Sequence, residues 1–516
     1  MSRHPTLALR QQKRRWLTVV VVALTLLATS LVFSLATLPS QPLRIEWGRP
    51  AAVRIPPIRG LNDETSIDAI SCTTATACSA GGFVSTSTTT EAVVIDESKG
   101  LWQKAHVIKG TSTSSAGDNA TISAISCASP GNCSAGGSFV NGEGLGHSPL
   151  LGYETPRTAF VVNEVHGRWT EAQAITGVVA PGIEDGATIS YLSCASDGNC
   201  AAAGSFASLP CADGYDTCVL AGATYKRQFA KSFVVNEVGG IWKSPEWLHE
   251  ANRGEYPRVN GLSCGAPGAC AAVGTSLSSS RQQEGFVVDE TNGRWQTATL
   301  FPGSALRGQT SSALNAVSCG SRGNCSAGGS YTDRFGKTHP FIVDETTGTW
   351  RRAAAVRGST RPALKPYALV QSISCGTSSD CTAFGESLGG KSKGLYYFVL
   401  TKSDGAWSSV RLVPGAAPST FRGFSGSEMA CSANESCTIA GSYFTQTSPT
   451  HPYALSENIG HFTRLVSLRG VVSLNLEPTA GSVVALSCGA MDNCVIVEEF
   501  STMGNESSFL VHEFPR

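Results

Sequence analysis

The chain has 516 residues, 55 of them glycine, and only 15% are charged, which argues against long helices and for short strands joined by tight turns. Its formal charge is zero, but Arg3, Arg10, Lys13, Arg14 and Arg15 precede every acidic residue, so the remainder carries −5. A mildly acidic fold offers no basic face for nucleic acid, and that partner is set aside.

Residues 1–15 read as a basic cytoplasmic tail. Residues 16–38, from Trp16 to Leu38, are apolar without a charge, long enough to cross a bilayer and longer than a usual signal-peptide core. The positive flank stays inside, which predicts a single-pass membrane protein whose C-terminal part lies outside the cell. The alternative is a long cleavable signal, with Ser34 and Ala36 before the cut, and a secreted product. A linker, 39–42, then leads into an ectodomain, 43–516.

The ectodomain opens on LRIEWGRPAAVRIP, a Trp followed by small apolar residues with no cysteine motif ahead of it. Beyond it the chain is one unit repeated. The clearest copy runs from Leu314 to Trp350: an apolar segment ending in Ser-Cys, a five-residue turn, a second Cys opening Ser-Ala-Gly-Gly, an apolar run closed by Asp-Glu, then a turn Gly and a Trp. The order recurs around Cys72, Cys127, Cys194, Cys264, Cys319, Cys375, Cys431 and Cys488 at intervals of about 55 to 70 residues, the mark of a repeat architecture.

Each unit reads as four short strands, at 122–127, 133–140, 158–164 and 168–175 in the second copy, with connections short enough for an up-and-down antiparallel sheet. The eighth copy stops where its Trp segment should begin, and the stretch around Trp47 is the piece it lacks. The expected fold is therefore all-β: an eight-bladed β-propeller of four-stranded antiparallel blades, closed by the N-terminal strand joining the C-terminal blade, behind one N-terminal transmembrane helix. Closure leaves no free strand edges.

All 18 cysteines are expected in local disulfides: Cys72–Cys78, Cys127–Cys133, Cys194–Cys200, Cys264–Cys270, Cys319–Cys325, Cys375–Cys381, Cys431–Cys437 and Cys488–Cys494, with Cys211–Cys218 in an insertion. The spacing C-x5-C is not that of a zinc knuckle, and an exported chain meets an oxidising compartment. Closing each seven-residue loop stabilises by about 2 kcal/mol in the chain-entropy model.

The pattern Ser-Cys-x5-Cys-x-Ala-x-Gly, an apolar strand, Glu, a turn Gly and Trp resembles uncharacterised secreted or membrane-anchored β-propeller proteins of actinobacteria, over roughly residues 43 to 516. The resemblance implies the fold and says little about activity. The Gly-x-Trp turn differs from the Asp-box of sialidase propellers in spacing. Only Ser403-Asp404-Gly405-Ala406-Trp407 comes near it, and no arginine cluster with a Tyr-Glu pair is evident.

Glu97, Glu164, Glu237, Glu290, Glu345, Glu457 and Glu513 close the third strands. Catalysis needs one or two placed carboxylates rather than one per unit, so these are expected to accept hydrogen bonds from turn N–H groups. Trp47, Trp102, Trp169, Trp242, Trp295, Trp350 and Trp407, with Phe462 as a substitute, are expected as wedges between blades. A glycan platform is the alternative.

Function is expected where the repeat is broken. The loops 141–157 and 207–230 depart most from it, and Tyr153, Tyr215 and Tyr225 would supply contact area there. His147, His339 and His451 fall in different units, and no metal or other cofactor is expected from them. Asp68 and Glu428 are the main acidic residues of the innermost strands. The expected function is a binding or scaffold module for a protein or cell-wall glycan, more a binder than an enzyme. The alternative is a glycan-acting hydrolase or lyase with its site at the central channel.

Overall fold

The computed structural model describes residues 45–47, 51–52, 64–85, 89–111, 119–140, 157–177, 186–206, 217–220, 223–226, 231–248, 255–301, 309–358, 366–389, 394–413, 421–432, 436–445, 450–458, 461–462, 466–468, 480–490, 493–502 and 505–515. The chain divides into two units by contact, Met1–Arg44 and Ile45–Arg516, and the first lies outside the described residues, as does the expected membrane segment 16–38. Among the described residues no helix is long and apolar enough to cross a membrane.

The second repeat shows how the sequence makes a sheet. Thr121–Ser129 turns back at Pro130-Gly131 into Asn132–Val140, which pairs with Arg157–Asn163. Gly131 takes φ 74°, which this tight turn requires. The next hairpin uses His166-Gly167, both with positive φ, the type I′ geometry whose twist suits a two-residue connection. Its Gly167 N–H donates to Gly131 O at 2.9 Å, tying the two hairpin tips together.

The fourth strand is broken rather than continuous as expected. In the first repeat Leu101–Trp102 pairs with Ser98 and Glu97, while His106–Val107 pairs with Val94 and Val93. One extra residue lies between the two ladders, a bulge that turns the Trp away from its own sheet.

The first strand is bulged too, three or four residues before its Cys. Register shifts fall between Ile67 and Ala69, Ile122 and Ala124, Ile189 and Tyr191, Val259 and Gly261, Leu314 and Ala316, Val370 and Ser372, and Val483 and Ala485. This explains the Ala-Gly-Gly of the second strand. A Cβ on Gly137 would lie 1.8 Å from Thr121 O on the bulged strand, and one on Gly136 would lie 2.8 Å from Ile189 Cγ2 of the next repeat. The first glycine of the pair is thus a socket for the neighbour's isoleucine, and the second makes room for a carbonyl.

Eight disulfides occur among the described residues, each joining directly paired cysteines with Cα atoms 3.9–4.0 Å apart. A chain so built folds in an oxidising compartment. The Cys211–Cys218 bridge lies outside the described residues. In that insertion the backbone forms a short hairpin, Thr217–Leu220 with Ala223–Lys226, that the sequence did not announce.

First strands of consecutive repeats lie side by side, and that of the eighth lies against that of the first. The serine before each cysteine joins them. Ser71, Ser126, Ser193, Ser263 and Ser318 Oγ accept the N–H of Cys127, Cys194, Cys264, Cys319 and Cys375 at 2.9–3.0 Å. Ser487 does the same for Cys72. The ends meet as expected: Ile45–Trp47 pairs with Glu513 to Pro515, and Ala51–Ala52 with Phe509 and Leu510, in the last strand, Asn505–Pro515.

One consequence is measurable. Ser126→Ala leaves the Cys194 N–H without its acceptor in a half-buried seam, and unfolding should show a loss of about 1 to 2 kcal/mol. An unchanged denaturation midpoint would show that the serine does not join the strands.

Candidate functional site

Three groups of side chains carry chemistry: the seams between repeats, the innermost strands, and the clefts that open onto the seams.

The seams absorb the repeated Trp and Glu. Each Trp donates its indole N–H to the residue that precedes Glu in the previous repeat: Trp169 to Asp96, Trp242 to Asn163, Trp295 to Asn236, Trp350 to Asp289 and Trp407 to Asp344, at 2.8–3.2 Å. Trp102 reaches His512 Nε2 at 2.9 Å across the seam between the last and first repeats. Trp242 and Trp350 are buried there, so the expected wedges are present.

In the second to fourth seams of the described residues the Glu faces that same residue. Asn163 Nδ2 donates to Glu237 Oε1 at 2.5 Å, and Asn236 Nδ2 to Glu290 Oε1 at 2.7 Å. The expectation holds in part: Glu290 accepts the backbone N–H of Cys270, at the end of the cysteine turn of its own repeat, while the turn glycine N–H groups bind the cysteine-turn carbonyls instead. The side-chain partners of Glu237 and Glu290, in contrast, come from the neighbouring repeat.

Seam chemistry varies in a paired way. Where the sixth repeat carries Lys402 in place of Glu, its Nζ lies 3.1 Å from Asp344 Oδ1. Where the eighth repeat carries His512, its Nε2 is 3.4 Å from Glu97 Oε1. In two seams both partners are acidic. Burial, with Asp96 nearby, pushes Glu164 up to about 8, and burial, with Asp289 nearby, pushes Glu345 up to about 7. Burial alone raises Glu97 to about 7.

The innermost strands carry few charges. Asp68 is engaged by structure, its two oxygens accepting from Ser66 Oγ at 2.7 Å and Thr121 Oγ at 2.9 Å. Asn260 and Asn315, at the same place in their repeats, donate to Leu314 O and Val370 O of the next repeat. Three unrepeated groups remain. Tyr191 and Glu428 replace the small residue found three before the Cys in other repeats, and Arg258 stands nearby in the fourth repeat. They sense one another: burial raises the Tyr191 phenol, Arg258 lowers it and Glu428 raises it. Glu428 is solvent-accessible, yet enclosure by the surrounding strands raises its carboxyl.

The sequence-predicted contact residues do not enter this picture. Tyr153 and Tyr215 lie outside the described residues, as does the side chain of Tyr225, whose backbone pairs with Cys218. His147 is also outside them. His339 pairs with Asp333 Oδ2 at 2.9 Å, holding that carboxyl down at about 2, and stacks on Tyr331. His451 lies against Tyr443 in the corresponding place. Among the described residues no group of His, Cys, Asp or Glu is arranged to hold a metal.

Among the described residues, clefts open at the cysteine-turn side of the seams between the first and second, fourth and fifth, and fifth and sixth repeats. One of about 720 Å³ lies between the first and second repeats, lined by Asp96, Glu97, Lys99, His106, Glu164 and His166. One of about 400 Å³ lies between the fourth and fifth, and one of about 560 Å³ between the fifth and sixth. Sequence reasoning missed them because each forms only when two repeats meet.

No protein family and no curated protein matches the chain. Among solved structures it is similar to Sqt1 of Chaetomium thermophilum, 11% identical, with 90% of this chain and 98% of that one covered and a TM-score of 0.45. It is also similar to a polysaccharide lyase, PL25 ulvan lyase, 10% identical over 74% of this chain and 90% of that one, with a TM-score of 0.40. YCF48 from Cyanidioschyzon merolae is 11% identical over 76% and 94%, with a TM-score of 0.33. Similarity at this level carries nothing about activity.

Proposed function

We propose that the repeats are the blades of a closed eight-bladed propeller. It acts outside the cytoplasm, held to the membrane by residues 16–38, as a binding or scaffold module for a protein or a cell-wall glycan. The observation that supports a binder is the commitment of the repeated acids and tryptophans to the seams. Groups that would otherwise suggest catalysis and sugar stacking are used to join blades, and the result is a stiff ring that presents the divergent loops 141–157 and 207–230.

Tyr191, Arg258 and Glu428 favour a second reading, a hydrolase or lyase in the channel. Hydrolysis of a glycoside by the usual route needs two carboxyl groups, and Asp68, the other acid of the innermost strands among the described side chains, is held by Ser66 and Thr121. Glu428 alone suits orientation of a ligand better than cleavage.

A glycan array and a pull-down with residues 43–516 test the first reading against a version whose two loops are shortened to the length of the corresponding loop in the fourth repeat. The trimmed protein is expected to melt as the parent does and to bind at least about tenfold more weakly, a loss of about 1.4 kcal/mol. Undiminished binding by a folded trimmed protein places the function elsewhere. Turnover of a glycan that disappears in Glu428→Gln supports the channel enzyme.

A further inference from the structure

The cleft between the fifth and sixth repeats differs from its counterparts in two coincident ways. Basic residues recur at the second and seventh places after the Trp or its substitute, as Lys104 and Lys109, Arg464 and Arg469, and Arg49 and Arg54, but only the fifth repeat, with Arg351, Arg352 and Arg357, is basic at the first, second and seventh places together. All three arginines are exposed and line the cleft, and none of their guanidinium groups has an acceptor among the described residues. On the facing wall the sixth repeat has Lys402 where the other described repeats have Glu, and Lys402 neutralises Asp344. The fold as a whole is acidic, so three unpaired guanidinium groups around one depression make an unusual local field.

The acidic residues of this cleft do not cancel it. Asp344 is occupied by Lys402, by Ser326 Oγ at 2.5 Å and by the Trp407 indole. Glu345, raised to about 7 first by burial and then by Asp289, is partly neutral near neutral pH. Asp404, exposed in its turn, is the opposing carboxylate among the lining residues, and Asp380 beside Ser379 is engaged by Thr377 and Ser379. Trp407 itself lines the cleft and offers an aromatic surface for a sugar ring. At about 560 Å³ the cleft has the size of ligand sites, which run to roughly 300–1,000 Å³.

We infer that this cleft is a binding site for an acidic polysaccharide, whose sulfate esters or uronate carboxylates are held by Arg351, Arg352 and Arg357 while a sugar ring lies against Trp407. Planar guanidinium groups match both anions in bidentate geometry, which lysines would not. The site lies on the cysteine-turn side, lined by Asn324, Ser378 and Ser379, and not on the loops 141–157 and 207–230. It goes beyond the proposed function, and loop trimming leaves it intact, so failure of either reading is seen separately.

The test is binding of the full-length chain, in detergent at near-physiological salt, to dextran sulfate, polygalacturonate and neutral dextran. One or both polyanions should bind and dextran should not; the polyanion bound tells sulfate ester from uronate. The triple variant Arg351→Gln, Arg352→Gln, Arg357→Gln should bind at least about tenfold more weakly with unchanged melting, given charge-assisted hydrogen bonds lost at three positions. A control with Lys99→Gln, Lys243→Gln and Arg294→Gln removes equal charge from exposed positions elsewhere and should bind as the parent does. The inference is overturned if neither polyanion binds, if the arginine variant binds undiminished, or if both triple variants weaken alike.

Discussion

Gly137→Ala will unfold at a markedly lower denaturant concentration than the parent, by about 3 kcal/mol or more, for the addition of one methyl group. The added Cβ would meet Thr121 O at 1.8 Å and Thr121 C at 2.9 Å, both backbone atoms of a bulged strand flanked on either side. Nothing there is a side chain that can swing aside. Gly136→Ala is the informative neighbour, since its methyl would meet Ile189 Cγ2 at 2.8 Å, an atom of a side chain able to shift slightly. Its loss should be the smaller of the two, about 1 to 2 kcal/mol. Equal losses, or a tolerated Gly137→Ala, would remove the bulge carbonyl as the reason for the second glycine.

A second large effect is expected in the eighth repeat, where Val497-Glu498 stand in the places of Gly-Gly. Glu498 is fully buried, neither carboxyl oxygen has a hydrogen-bond partner among the described residues, and burial raises it to about 8. An unfolded Glu ionises near 4.5, so between that pH and about 8 the folded state holds a proton that the unfolded state releases. The contribution to stability is therefore complete below pH 4.5 and is lost as pH rises through 8. The difference amounts to about 4 to 5 kcal/mol by linkage. Glu498→Gln does not titrate, so the variant should be more stable than the parent at pH 9 and similar to it at pH 4.5. Subtracting the two melting curves at each pH cancels the same-sign contributions of Glu97, Glu164, Glu290 and Glu345. A difference that does not change with pH would mean that Glu498 is ionised in the folded protein at all these values.

The repeat, its hairpins, the disulfide partners and the joining of the two ends were legible in the sequence because each depends on local order. Type I′ turns need their glycine, and C-x5-C folds back on itself. What the motif residues touch was not legible. Ser126, Gly136, Trp169 and Glu237 each find a partner in a neighbouring repeat, 53 to 74 residues away. The sequence shows that they recur but not what they meet. The Glu series was read only in part for this reason: Glu290 does accept the Cys270 N–H of its own repeat, but the Asn side chains that reach Glu237 and Glu290 belong to the neighbour. Covariation within the chain was available as a signal, since Lys402 follows Asp344 and Glu237 follows Asn163, but it becomes readable only once the seam is known. The proposed contact loops offered no internal standard, since irregular segments lack the repeat that made the rest interpretable.

The seams have a direction. At the first of them Ser71, Gly81 and Asp96 of one repeat receive the Cys127 N–H, the Ile122 side chain and the Trp169 indole of the next. Joints between unlike faces can be extended without limit, and they terminate only because the eighth repeat meets the first. A molecule prevented from making that last joint would carry a plug at one end and a socket at the other, complementary to those of its siblings. Ring closure within one chain wins because the tethered ends meet at high effective concentration. A deletion that removes Asn505–Pro515 would shift the outcome toward head-to-tail filaments, making the final strand a guard against polymerisation as much as a piece of the sheet.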